Sequence, residues 1–331
     1  MRFDFFITLL ALLTFPLAQV HAQENLSLQY HSKVVIPKDF KVGNTTVGGL
    51  SGISYHINDS VYYIVADKPP SRIYKASVNN IDELKVDFQT VAKLSPSLLA
   101  GSELEGIAIN NITGNIYVSD EQSEGTRIFE IDDSGKFKRI TEPLNNPFLP
   151  LSGHNSGIEG LTISDNGEHL YYAFERPVEY CLDDGNVLIN RIELRNRERN
   201  TSYHYQLHDV EGDEINTNGI SEILYLNDSS LLIMERAYIP GQGNVVRLYQ
   251  TYLSIVEKNA DSSCSKAPVY KTKSRLVFDF ANVEGFEIDN AEGMTFNADK
   301  SMLVIVTDNN FSKRQETQII ILETGTSHKD R

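Results

Sequence analysis

Apolar residues along the 331-residue chain fall into short runs separated by polar turn clusters, with almost no helical periodicity. One unit recurs. It opens with an acid or Ser, then Gly, an aliphatic residue, any residue and an apolar one. The copies are Ser51-Gly52-Ile53-Ser54-Tyr55, Glu105-Gly106-Ile107-Ala108-Ile109, Glu159-Gly160-Leu161-Thr162-Ile163 and Glu292-Gly293-Met294-Thr295-Phe296. A degenerate copy is Ser221-Glu222-Ile223-Leu224-Tyr225. Each continues through a polar turn, such as Asn58-Asp59-Ser60 or Asp165-Asn166-Gly167, whose residues suit a tight hairpin. A β-rich run follows, at 61–66, 115–119, 170–174, 231–234 and 302–307. Each run ends on a carboxylate: Asp67, Asp120, Glu175, Glu235 and Asp308. A third strand often comes next, as at 72–76, 127–131 and 245–249.

With Gly52, Gly106, Gly160, Glu222 and Gly293 as markers, the units are 54, 54, 62 and 71 residues apart. Short strands repeating at that period predict propeller blades. Blades of the Trp-Asp repeat type are excluded, because the chain has no Trp. The fold expected is therefore all-β, a β-propeller of five to six blades. The last unit offers only three strands, whereas residues 26–36 form a strand without a blade. Pairing that N-terminal strand with the C-terminal blade would close the ring and cover its open edges. The stretches 176–205 and 237–274 read as loops inserted between strands.

The first 22 residues read as a secretory signal: Arg2, an apolar run at 5–18, and small residues at both determining positions of Val20-His21-Ala22. The apolar run is too short to span a bilayer. Cleavage there would leave a single domain over 23–331, secreted or periplasmic, with no membrane insertion. In such a compartment Cys181 and Cys264 are expected to form a disulfide. Closing that loop of about 80 residues would stabilise the fold by up to about 4 kcal/mol.

Charge narrows the choice of ligands. The chain carries 45 Asp+Glu against 30 Lys+Arg, a net charge of −15. Nucleic acid is an unsuitable partner, since phosphate backbones need stripes of Lys and Arg. Metal cations suit such a surface. In a propeller the innermost strands line one channel, so equivalent positions in each blade meet in space. Glu105, Glu159, Glu222 and Glu292 start the innermost strands, and Asp67, Asp120, Glu175, Glu235 and Asp308 follow one hairpin later. One strand out and one back returns the chain to the same end, so both sets are expected to rim one mouth. Crowded carboxylates must protonate or bind a cation. Oxygen ligands of this kind suit Ca²⁺. Glu105, Glu159 and Glu292 are the candidate catalytic acids, and Asp67, Asp120, Glu175, Glu222, Glu235 and Asp308 the candidate metal ligands. Arg127, Arg176 and Arg236 accompany the acids and would bind an anionic substrate group or pair with those acids. His204 and His208 stand four apart, without the glutamate of a helical zinc motif. The chain has no nucleophile-elbow, Walker or dinucleotide-binding signature.

Together, Gly49-Leu50-Ser51-Gly52-Ile53, Leu104-Glu105-Gly106-Ile107-Ala108, Ile158-Glu159-Gly160-Leu161, Asn218-Gly219-Ile220-Ser221-Glu222 with Met234-Glu235-Arg236, and Ala291-Glu292-Gly293-Met294 with Thr307-Asp308-Asn309-Asn310-Phe311 resemble the secreted "esterase-like activity of phytase" family over about residues 48–322. The resemblance implies a secreted or periplasmic β-propeller hydrolysing phosphoesters or other esters, with a small anionic or ester substrate. Ca²⁺ at the rim would reverse the repulsion between such a substrate and an acidic protein. Two other readings share the acid ring. One is a non-catalytic propeller that binds a ligand or protein; the other is a lactonase-like ester hydrolase with a central Ca²⁺.

Overall fold

The computed structural model describes residues 25–68, 70–79, 83–94, 103–122, 125–142, 156–177, 186–211, 218–253, 258–259 and 269–325. Each sequence unit folds into one antiparallel sheet, and among the described residues there are five such blades. The innermost strands are Leu50–His56, Glu103–Asn110, Ile158–Ile163, Gly219–Asn227 and Asn290–Phe296. Their hairpin partners are Val61–Ala66, Asn115–Gln122, His169–Phe174, Ser230–Ile239 and Met302–Asp308. Third strands follow at Arg72–Asn79, Gly125–Ile131, Val187–Glu193, Gly243–Tyr252 and Thr317–Gly325. In blades 1 to 4 the outer strands are Lys85–Lys93, Phe137–Glu142, Glu198–Tyr205 and Lys273–Asp279. Blade 5 takes its outer strand from the other end of the chain: Ser27–Ile36 pairs antiparallel with Thr317–Gly325.

Of the five to six blades expected, five are present among the described residues. The longest interval, of 71 residues, contains extra strand instead of a sixth blade. Blade 3 is widened by Val269–Lys271, which pairs parallel with Glu198–Tyr205 and antiparallel with Lys258–Asn259. The stretches read as loops, 176–205 and 237–274, hold the third and outer strands of blade 3, while the third strand expected at 245–249 lies within Gly243–Tyr252 of blade 4. Outer strands carry mixed polar residues, as in Glu198–Tyr205, so their apolar signal is weak. The middle strands are covered on both faces and read as unbroken apolar runs; all six residues of Val61–Ala66 are buried.

The blades pack face to face, and each interface is an apolar layer shared by two neighbours. Tyr63 and Val65 of blade 1 meet Ile107 and Val118 of blade 2. Across the closing seam, Val304 and Val306 of blade 5 meet Ile53 and Ile64 of blade 1. The innermost strands touch in ring order around the axis. Glycine permits that approach: a Cβ on Gly52 would lie 2.5 Å from the Glu105 carbonyl oxygen, and one on Gly293 would lie 2.9 Å from Gly52 Cα.

The segment 1–22 and both Cys181 and Cys264 lie outside the described residues. Among the described residues no helix is long and apolar enough to cross a membrane.

Candidate active site

All five innermost strands share one irregularity. The register slips between Leu50 and Gly52, Leu104 and Ile107, Ile158 and Gly160, Ile220 and Glu222, and Ala291 and Gly293. Each slip is a β-bulge, and a bulge re-aims the side chain of its extra residue. The bulged residues include Ser51, Glu105, Glu159, Ser221 and Glu292. A second ring is set by the hairpin partner, one residue beyond the pairs Leu50–Ala66, Leu104–Asp120, Ile158–Phe174, Ile220–Glu235 and Ala291–Thr307. Its members are Asp67, Glu121, Glu175, Arg236 and Asp308. By number, Ser51 to Asp67, Glu105 to Glu121, Glu159 to Glu175 and Glu292 to Asp308 are all the same sixteen residues apart.

Most of these side chains line a single cavity of about 1040 Å³ at one mouth of the channel, including Asp67, Glu105, Glu159, Glu175, Glu292 and Asp308. Lys68, Arg176 and Arg236 also line it. The expected convergence of Glu105, Glu159 and Glu292 with Asp67, Glu175 and Asp308 is therefore seen.

Three expected metal ligands are not in the cavity. Asp120 and Glu235 lie one residue out of register with the second ring, and in a strand one residue flips the side chain to the other face. Asp120 accordingly faces Arg127, whose Nε and Nη2 both donate to its Oδ2 at 2.7 Å. Arg127, expected to bind substrate, likewise does not line the cavity. Glu235 accepts from the Tyr205 hydroxyl at 2.7 Å and faces His208 Nδ1 at 2.8 Å. His208 stacks on Tyr249 with ring centroids 3.8 Å apart. Glu222 stands where the other four strands carry glycine, not at the bulge. Its Oε1 accepts from the backbone N–H groups of Leu161 and Ile223, both at 2.9 Å.

Conversely, Glu121 and the position of Arg236 were missed as ring members. Glu121 accepts from Gly157 N–H at 2.8 Å and adds its charge to the field on Glu105 and Glu159. The constant sixteen-residue interval is the signal that would have found it. Arg236 replaces an acid in blade 4. Its guanidinium lies 2.8 Å from Glu292 and 3.8 Å from Glu175, and it also donates to Asn290 Oδ1. Arg176 stands 3.6 Å from Glu175, and Lys68 stands 2.7 Å from Asp67.

The field inside the cavity follows. Burial raises the Glu105 carboxyl well above the usual range, and Asp67 and Glu292 push it further. Glu159 is raised well above that range by burial and by Glu105 and Glu175. Burial also carries Glu292 up to about 8, against the opposing pull of Arg236. Asp308 is pushed up to about 7 by burial and Asp67, while the Asn310 N–H works against the shift. Glu121, in register with the second ring but not lining the cavity, is likewise brought to about 7 by burial. Near neutral pH the cavity thus holds protonated carboxyls beside carboxyls that are half ionised. Such a set can both give and take protons.

Asp67 Oδ1, Glu175 Oε2 and Glu292 Oε2 are buried and have no hydrogen-bond partner. As hard oxygen donors they match a cation such as Ca²⁺. However, no three His, Cys, Asp or Glu side chains among the described residues are grouped as a ready-made metal centre.

Among solved structures, the chain is similar to an endo-arabinase from Bacteroides thetaiotaomicron, at 13% identity over 89% of this chain and 98% of that one, with a TM-score of 0.49. A putative oxidoreductase (glucose dehydrogenase) from a Thermus species matches at 13% identity over 90% and 100%, with a TM-score of 0.46. A chain of a nidogen/laminin complex matches at 11% identity over 91% and 98%, with a TM-score of 0.41. At these values the likenesses say nothing of activity. No curated protein sequence is significantly similar to the chain. The model of the phytase-like family, described as "Esterase-like activity of phytase", matches residues 45–311. That span contains both acid rings and the two inner strands of all five blades, and by it the chain belongs to the phytase-like family.

Proposed function

We propose that the protein is a hydrolase of phosphoesters or other esters, working at the acidic mouth of its channel. The observation that carries this reading is the convergence of two acid rings into one cavity with a guanidinium among them. The family description supports an ester-cleaving activity.

In this reading a protonated carboxyl of Glu105, Glu159 or Glu292 donates its proton to the leaving oxygen. Asp308, half ionised near pH 7, takes a proton from the attacking water. Arg236 is held between Glu175 and Glu292, where it would meet negative charge developing on the ester or phosphoryl group. Arg176 at the rim would hold a second anionic group of the substrate. Arg236 already offsets Glu175 and Glu292. A calcium ion would therefore be drawn to the side of Asp67 and Asp308, with Lys68 as its competitor there. When bound, Ca²⁺ supplies positive charge for phosphate or carbonyl oxygens and acidifies water. Secretion through the 1–22 signal, with a Cys181–Cys264 disulfide, belongs to the same proposal.

The test is turnover of p-nitrophenyl acetate, p-nitrophenyl phosphate and phytate by the folded protein, with and without Ca²⁺. Release of product from at least one, abolished in a Glu159→Gln, Glu292→Gln double variant, is expected. No turnover of any of them under either condition would overturn the hydrolase reading and leave the ligand-binding propeller.

A further inference from the structure

The acidic cavity has a second, unlike wall. At the seam between blades 4 and 5 its lining includes Tyr238 and Val245 from blade 4, and Phe286 and Ile288 from the connection leading into blade 5. Tyr238 lies two residues beyond Arg236 in Ser230–Ile239, which pairs with Gly243–Tyr252 without a slip, so both side chains leave the same face of that strand. Their neighbours on the other face, Ala237 and Ile239, are buried, whereas Tyr238 is 50% exposed. Phe286 and Ile288 are partly buried and pack on the core shared by the two blades. The Phe286 ring is fixed in place. It meets Tyr30 edge-on with centroids 5.0 Å apart, lies against Phe280 at 5.5 Å, and has Lys33 Nζ 4.3 Å from its centroid. The shelf thus runs outward from Arg236, the group that pairs with Glu292 at 2.8 Å.

Proton transfer and charge stabilisation at the acid rings need none of these apolar groups. A cavity of about 1040 Å³ also has room for much more than a reacting ester group. The other charged lining residues on the blade 5 side are Glu287, Asp289 and Glu316 against Lys33 and Arg314, so this wall has no excess of positive charge to receive a further phosphate. An apolar surface beside a few converging polar groups is how a pocket orients a substrate, and flat, half-exposed Tyr suits an aromatic partner. We infer that this shelf binds an aromatic group on the alcohol side of the substrate, with Tyr238 as the specificity-determining residue, so that the preferred substrates are esters or phosphoesters of benzyl-like alcohols. In their hydrolysis the bond from the carbonyl carbon or phosphorus to the alcohol oxygen breaks. The oxygen of water takes its place on the acid, and the alcohol leaves with a proton. The inference rests on the hydrolase reading above, and names the substrate class for it.

The experiment measures kcat/KM of the full-length protein for benzyl acetate against ethyl acetate, and for benzyl phosphate against ethyl phosphate, with Tyr238→Ala and Tyr238→Phe alongside. On at least one pair the benzyl ester is favoured about tenfold or more, mainly through KM. Tyr238→Ala lowers that ratio by at least about fivefold, whereas Tyr238→Phe, which keeps the ring, retains it. A ratio near one in the unaltered protein, or a ratio unmoved in Tyr238→Ala, would overturn the inference and leave the hydrolase reading standing. Where none of the four esters turns over, binding decides. The probes are 2-phenylethylphosphonate and propylphosphonate, the methylene analogues of the two phosphates, with affinities read by calorimetry. Binding of the phenyl analogue about fivefold or more tighter, lost in Tyr238→Ala, keeps the aromatic shelf and ends the hydrolase reading. Equal affinities, or no binding of either probe, end the inference.

Discussion

The two ends of the channel are built from the same five strands and yet have opposite character. One opens into a cavity of about 1040 Å³ lined by carboxylates and guanidinium groups. The other holds a cavity of about 310 Å³ lined mainly by residues such as Ile53, Tyr55, Ile107, Leu161, Tyr225 and Phe296. At that far end the inner hairpins keep regular pairing except in blade 4, which slips between Tyr225 and Asn227, and hydroxyls link neighbouring blades. Ser54 Oγ accepts from Ile109 N–H at 3.2 Å, and Thr162 Oγ1 accepts from Tyr225 N–H at 3.0 Å. At the near end a bulge in every blade throws an extra side chain toward the axis. Regular strand closes a propeller channel; the bulge turns one end of it into a site. Between the ends, Glu222 fills the axis from the side that lacks glycine.

The contrast is open to direct measurement. The largest effect is expected from Glu159→Gln combined with Glu292→Gln. Hydrolysis should fall by about 10²-fold or more, since each loses its proton-transfer capacity, while thermal stability holds or rises as buried acids are removed. A variant that is folded and fully active would make the near end no more chemical than the far end.

Next is the one-residue offset in blade 2. Asp120→Asn should destabilise the protein by about 3 kcal/mol in denaturant melts, because it leaves the Arg127 guanidinium without its buried counter-charge. Its kcat/KM should change less than about threefold. Glu121→Gln should do the reverse, altering the pH profile more than the stability. Exchange of these two outcomes would mean that the facing assigned to the pair is wrong.

The pH dependence of stability is the third. Glu292 titrates at about 8, and Asp308 and Glu121 at about 7, all raised above their unfolded values. Raised carboxyls contribute stability that is full below about pH 4, near their unfolded values, and is lost as pH climbs through the folded ones. Unfolding free energy in chelator should therefore fall between about pH 4 and 8, by an amount on the order of several kcal/mol, and level off above that. Added Ca²⁺ should oppose that fall if the proposed cation binds. A flat or rising profile in chelator would contradict the crowded, desolvated acid ring.

The smallest effect belongs to the far end. Lys300 pairs with Asp165 at 2.7 Å on an exposed surface. Lys300→Ala should cost less than about 0.5 kcal/mol and leave hydrolysis unchanged within about twofold. A loss of turnover there would show that the two ends are coupled.

Much of the fold was legible because repetition amplifies weak signals. No single copy of the acid-Gly-aliphatic unit is distinctive, but five in order predicted the strands, the hairpins and the family. All five middle-strand runs, 61–66, 115–119, 170–174, 231–234 and 302–307, lie wholly within observed strands. The outer strands of blades 3 and 4 were hidden, because a strand that mixes polar and apolar residues, as Glu198–Tyr205 and Lys273–Asp279 do, differs little from a loop in sequence. The site was legible as a set of acids but not in its facing. Asp120 ends the apolar run as plainly as Asp67 does, yet it is the next residue, Glu121, that shares the register of the second ring.

By itself, then, the sequence determined what is carried by composition and periodicity. It set the β-class, the repeating unit and the excess of acids at recurrent positions. Only the tertiary structure decided which acids act together. That depends on where each ladder slips at its bulge, and a shift of one residue sends a side chain to the opposite face. It also depends on which neighbour lies across the ring. Glu222 looks like the other acids in a list of repeats. It became a clamp on backbone N–H groups only when three innermost strands were brought to the axis around it.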